Sequence, residues 1–105
     1  MGGLDLGPSP FQFLTAALAE CTVMTVRWYA RKNDWAVRKI SVEVAYEPSP
    51  HTGDKKNVDG FQKTVRIDGE TLTLEQRKKL LDVAGKCPVQ RTLERGCLVT
   101  TLWSA

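Results

Sequence analysis

Histidine is almost missing from this chain: 1 among 105 residues, His51, set in a stretch of turn-forming residues with no HxxxH or CxxC spacing around it. A zinc site needs three or four nitrogen or sulfur ligands at short, regular spacings, so no metal and no cofactor are expected. Cysteine is scarce and odd in number, 3 in all, which argues against the even, dense disulfide framework of a small secreted scaffold. The expected setting is the reducing cytoplasm. MGGLDL lacks the charged start and apolar run of a signal peptide, and Leu6 stands where a myristoylation motif needs serine or threonine.

An excess of charge of one sign is missing too. Lysine and arginine number 15 against 12 acids, for a net charge of +3, and the two signs are interspersed. No nucleic-acid partner is required by that balance. RWYARK at 27–32 and RKK at 77–79 read as solvated helix surfaces whose long side chains cover apolar neighbours, rather than as platforms for stacked bases. No membrane-spanning run is present either. Phe11 to Ala30 has the length, but Gln12, Glu20 and Arg27 interrupt it, and a glutamate near mid-span marks a buried helix of a soluble protein. With no repeat or low-complexity tract, 42% hydrophobic and 26% charged residues fit one domain over residues 1–105.

What is there begins with a well-marked helix start. Ser9 is a natural N-cap, Pro10 suits the first helical position, and Gln12 completes a capping box. FQFLTAALAECTVMTVRWYA is apolar on nearly every side, which predicts a central helix surrounded by protein and ending near Asn33. The period then changes to two. Ile40, Val42, Val44 and Tyr46 alternate with polar or small residues, as do Phe61, Val65 and Ile67, and the two strands are expected to pair as an antiparallel hairpin. EPSPHTGDKKNVDG at 47–60 reads as the exposed loop between them. Thr73, with Gln76 three residues on, opens a second helix whose apolar face is read as Leu74, Leu80, Leu81 and Ala84, and which must end before Pro88. CLVTTLW at 97–103 is β-branched and apolar enough for a third strand, with Cys97 as a core residue at its start.

The residues with chemistry to offer are thiols. A cysteine reacts as thiolate and so needs a nearby cation, a helix N-terminus or a comparable field. Cys21 lies mid-helix in the small-residue run ALAECTVMT, where packing is the ordinary role, whereas Cys87 in AGKCPVQRTL lies where the chain turns away from a helix. One is held rigidly and the other can move. A peroxide-reducing dithiol has that asymmetry: one sulfur attacks the peroxide and becomes a sulfenic acid, and a second captures it as a disulfide.

GGLDLGPSP followed by FLTAALAECTVMTVRWYARKNDW, and later GETLTLEQRKKLLDVAGKCPVQRTLE, resemble the two signature blocks of the OsmC/Ohr family of osmotically inducible and organic hydroperoxide resistance proteins. The resemblance runs from Gly2 to about Thr101, with the blocks in the family's order. It implies a mixed α/β (α+β) fold in which a long central helix and a second helix pack on antiparallel sheet, and an intertwined homodimer that forms its sites at the interface. The partners implied are a hydroperoxide substrate and a thiol reductant, in oxidative stress defence. On that pattern Cys21 matches the attacking cysteine and Cys87 the resolving one.

Departures from the pattern carry their own expectations. The chain starts at the first block, so the family's N-terminal strands, and the arginine one of them supplies to the attacking thiolate, have no counterpart in it. The acidic residue that orients that arginine falls at positions occupied by Phe11 and Gln12, and Gln90 stands where the nearest subgroup reads CPVHRTL. Arg27, six positions after Cys21, is off its helical face, which leaves Arg91 as the expected substitute cation. Without such a cation a thiol of pKa roughly 8.5 is only a few per cent ionised at neutral pH, enough for slow chemistry. The alternative reading is a non-catalytic OsmC-like domain that binds a small hydrophobic ligand or a partner chain, its cysteines serving as packing. Either way, a helix apolar all round and few strands to cover it predict an obligate oligomer.

Overall fold

A computed structural model of the chain describes residues 9–48 and 58–104. The readings of the segment before Ser9 and of most of the 47–60 loop, His51 included, lie outside the described residues.

The first helix, α1, spans Pro10–Lys32. It starts where the capping box requires: the Ser9 hydroxyl accepts from the Gln12 backbone N–H at 3.2 Å, and the Gln12 side chain accepts from the Ser9 N–H at 2.6 Å. Those two bonds satisfy donors that the first helical turn leaves without intrahelical partners. Its interior holds no glycine, and Ala16, Ala17 and Ala19 supply strong helix-forming positions. Asn33 caps it, and Asp34 takes a positive φ of 55° to turn the chain back toward the sheet.

Strands β1 (Lys39–Glu47) and β2 (Gly60–Asp68) pair antiparallel without a break, from Lys39 opposite Asp68 to Glu47 opposite Gly60. Alternation of side chains between the two faces puts Ile40 and Ile67 in the core, directly opposite each other. The second expected helix, α2, is Leu74–Ala84, again opened by a reciprocal cap between Thr73 and Gln76. Val26, Ala30, Ile40, Ile67, Leu72, Leu80 and Ala84 form the core, with α1 laid across the sheet and α2 beside it. The fold is therefore mixed α/β, with helices packed on a two-stranded antiparallel sheet. Among the described residues no helix is long and apolar enough to cross a membrane.

Four readings change. The buried face of α2 is Leu80, Val83 and Ala84, while Leu74 and Leu81 lie exposed, because the helix axis is set by its contact with α1 rather than by the leucines alone. A third helix, α3, runs Pro88–Arg95 directly after the turn at Cys87. Pro88 at its first position is what a helix start favours, so the proline that ends α2 also begins α3. The stretch 97–103 forms no strand. Its Leu98 is 100% exposed and Trp103 94%, and Cys97 is exposed rather than a core residue. A strand needs a neighbour for its backbone groups, and no strand lies beside this segment within the described single chain. Finally, α1 is covered along one stripe only, Leu18, Thr22, Val26 and Ala30, while Phe13, Met24 and Trp28 remain exposed.

At the β2–α2 corner a side chain at Gly69 would bring its Cβ to 2.7 Å from the Ala36 carbonyl oxygen and 2.7 Å from Leu72 Cδ1. The oxygen belongs to backbone and cannot swing away. Gly69→Ala should lower stability by about 1–3 kcal/mol, seen as a lower urea midpoint with an unchanged slope.

Candidate functional site

The stripe of α1 that faces inward carries one polar residue, Thr22, which has no exposed surface. Cys21 precedes it and so sits one step round the helix, half-buried, at the edge between core and groove. Its outer side opens on a groove of about 620 Å³ lined by Ala17, Glu20, Met24, Trp28 and Pro88. The lining is mainly apolar.

Cys87 lies on the inner side. It ends the turn after α2, has no exposed surface, and occupies the N-cap of α3 in extended backbone conformation, φ −67° and ψ 149°. Serine and aspartate usually fill that place because their oxygens accept from the free N–H groups of the first turn. Here the sulfur does so, accepting from the Gln90 backbone N–H at 3.4 Å. The Thr22 hydroxyl stands 3.6 Å from the same sulfur and 2.7 Å from the Leu18 carbonyl, sharing one proton between them. Cys21 lies near enough to help lower the Cys87 thiol, and the two cysteines flank the α1–α3 contact.

The cation of the site is Lys63, from the middle of β2. Its ammonium donates to Thr22 Oγ1 at 3.0 Å, to the Ala84 carbonyl at 2.6 Å and to Gln90 Oε1 at 2.5 Å. A lysine ammonium has three protons to place, and all are placed. Gln90 passes the contact outward, its Nε2 donating to Glu94 at 3.3 Å. On the side away from Cys21, Lys63 borders a second recess of about 460 Å³ with Leu18, Phe61, Gln90, Leu93 and Glu94.

These surroundings set the charge states. Burial pushes the Cys87 thiol up, yet the Gln90 N–H, the Thr22 hydroxyl, the Cys21 thiol and the Lys63 charge together pull it down, and the net shift is below its ordinary 9.0. Lys63 is lowered from its ordinary 10.5 by desolvation, opposed by attraction to Cys87, Cys21 and Glu94.

The structure thus brings both expected cysteines into one site and leaves the expected cation out of it. Arg91 is exposed on α3, and Arg27 lines a separate groove with Arg31 and Lys32. Lys63 takes the place instead, for a reason the strand pattern contained. Phe61, Lys63, Val65 and Ile67 share the inward face of β2, so a lysine interrupts an apolar row that faces the core. Thr22 gave no such signal, and Gln90 stood out only as a departure from CPVHRTL. Phe11 and Gln12, the positions of the family acid, are used otherwise: Phe11 stacks on Tyr46 at 4.6 Å between ring centres, and Gln12 closes the N-cap. Among the described residues no three histidine, cysteine, aspartate or glutamate side chains converge to hold a metal.

The family described as OsmC-like protein matches the chain over residues 2–102. No curated protein gives a significant match.

Because the folded Cys87 and Lys63 values lie below the ordinary 9.0 and 10.5, the folded state holds fewer protons than the unfolded one in the window beneath those values. Stability from these two groups rises as the pH climbs toward 9 and is lost as it falls through the folded Cys87 value. Under reducing conditions the urea midpoint of the wild type should gain on that of Cys87→Ala between pH 7 and pH 9, and a constant difference would contradict the assignment.

Proposed function

We propose, on the premise that this chain belongs to the OsmC-like family, that it is a thiol-dependent peroxidase reducing organic hydroperoxides, with Cys21 attacking and Cys87 resolving. The observation that carries the reading is the placement of the pair. Cys21 opens on an apolar groove, and the fully buried Cys87 lies behind it at the α1–α3 contact.

The groove favours a hydroperoxide with an apolar body, which would rest against Met24 and Trp28 with its O–O bond toward Cys21. Attack by the Cys21 sulfur breaks that bond, oxidises the sulfur to a sulfenic acid and releases the alcohol. Cys87 then displaces the hydroxyl to give the Cys21–Cys87 disulfide and water. A thiol reductant of the cytoplasm restores both thiols. Lys63 and the α3 N-terminus supply positive potential beside the cysteine pair.

The working form is proposed to be a homodimer. Phe13 on α1 and the 96–104 segment with Leu98, Leu102 and Trp103 are apolar surfaces outside the groove of the kind a second copy covers. Sedimentation at micromolar concentration should give twice the chain mass, and a stable folded monomer would contradict the dimer.

The apolar groove also favours a second reading, a domain that holds a small hydrophobic ligand without turning it over. Treatment with cumene hydroperoxide separates the two. The peroxidase reading expects peroxide consumption and a Cys21–Cys87 disulfide by mass spectrometry, loss of turnover by at least a hundredfold in Cys21→Ser, and accumulation of the Cys21 sulfenic or sulfinic acid in Cys87→Ser. Equal, near-zero rates in wild type and Cys21→Ser would leave the binding reading.

A further inference from the structure

The β1–β2 hairpin has two outer edges, and the one along β2 is bordered by empty space on its helix side. A recess of about 460 Å³ lies between Phe61 and Lys63 of β2 and Gln90, Leu93 and Glu94 of α3. A second, of about 180 Å³, lies between Val65 and Ile67 of β2 and Arg77 and Leu81 of α2. Among the described residues no side chain of β1 lines either one. The two recesses therefore follow β2 along residues 61–67. They arise because α1 lies over β1 while α2 and α3 rest chiefly on α1, which leaves β2 lightly covered.

The backbone of that edge has no partner either. Among the described residues β2 pairs with β1 alone, and outside the hairpin no backbone–backbone hydrogen bond reaches residues 60–67. Every second N–H and C=O along β2 is therefore without a main-chain partner. β2 contains no proline and its register with β1 is unbroken by a bulge, so two of the usual blocks to a further strand are missing. The chain holds a segment with the matching need. CLVTTLW at 97–103 has the composition of a strand and no strand beside it, and it is as long as residues 61–67, about 23 Å when extended. Either alternate row, Cys97, Val99, Thr101 and Trp103 or Leu98, Thr100 and Leu102, brings apolar side chains that the recesses can take. In its own chain this segment stands clear of the core, with Leu98 and Trp103 almost wholly exposed. The radius of gyration, 17.2 Å against about 13 Å for a compact chain of this length, agrees with a segment that reaches outward.

We propose that residues 97–103 of one copy add to the free edge of β2 in a second copy, as the third strand of its sheet. The exchange is reciprocal, since a two-fold axis makes each copy both donor and acceptor. The added strand turns one row of side chains into the two recesses, against Leu93 and Leu81, and so walls the recess that borders Lys63. Residues of the second copy then complete the surroundings of the Lys63 junction, which a single chain leaves open on that side. This assignment rests on the homodimer proposed above and not on peroxide chemistry.

Sedimentation of the reduced full chain reads the homodimer, and NMR reads the strand exchange. In dimers refolded from a mixture of isotope-labelled and unlabelled copies, NOEs are expected between residues 97–103 of one copy and residues 60–67 of the other. Consecutive amides along residues 61–67 should exchange slowly with solvent, where the hairpin alone protects only alternate ones. Neighbouring N–H groups of a strand point to opposite sides, so one of Thr100→Pro and Thr101→Pro must remove a bond to β2. Both positions are exposed and outside the core, so each variant keeps its fold, and one of the two should weaken dimerisation by about tenfold and return alternate β2 amides to fast exchange. A dimer whose NOEs join 97–103 to its own β2, or to no strand, or whose affinity survives both proline variants, overturns the strand exchange and leaves the homodimer standing. A monomer overturns both.

Discussion

One ammonium group joins every helix of the described chain to the sheet. Lys63 leaves the middle of β2 and bonds a side chain of α1, the last carbonyl of α2 and a side chain of α3, all within 3.0 Å. Taking a lysine charge partly out of water is costly, and three good hydrogen bonds with an anion nearby are what make it tolerable. The consequence is geometric. The α1, α2 and α3 ends near Lys63 cannot shift independently, and the two sulfurs lie on the α1 and α3 sides of that junction.

The same junction explains why two cysteines of one site differ so much. Cys21 belongs to a continuous helix of 23 residues and turns one side to an open groove. Cys87 stands where backbone N–H groups are free at the start of a helix, and its sulfur is used as the cap. A thiol doing the work of a serine N-cap is held in place by the fold and biased toward ionisation by the same bonds. Gln90 contributes twice, through its N–H to Cys87 and its side-chain oxygen to Lys63, and, unlike a histidine, it does so without a charge that varies near neutral pH.

Among the described residues the chain also carries apolar surfaces that nothing covers. The outer face of α1 is apolar because the whole helix is, and one stripe suffices to bind it to the sheet and α2. The segment after Gly96, which turns with φ 85°, has the composition of a strand with no strand beside it among the described residues. Both features are apolar surfaces that the homodimer proposed above would cover.

The local elements were legible in the sequence because their signals are local. The capping boxes at Ser9 and Thr73, the proline after Cys87 and the period-two runs of both strands depend on residues within a few positions of each other, and each marks its element correctly. The expectation that Cys21 and Cys87 act together rests on two separated blocks of sequence, and the fold places both at the α1–α3 contact. Tertiary structure alone decided the rest. The pairing register brought Lys63 to face α1, 41 residues away from Thr22 in sequence, and no local pattern encodes that distance. The alternation of β2 did contain a lysine in an apolar row, but its meaning depended on what lay opposite. For CLVTTLW at 97–103 the outcome ran the other way: β propensity is a preference for a pleated, half-buried surface, and without a neighbouring strand it determines nothing. Sequence thus set which residues could cap, turn and react, while the meeting of α1, β2 and α3 decided which charge each sulfur would feel, because electrostatic fields act through space and not along the chain.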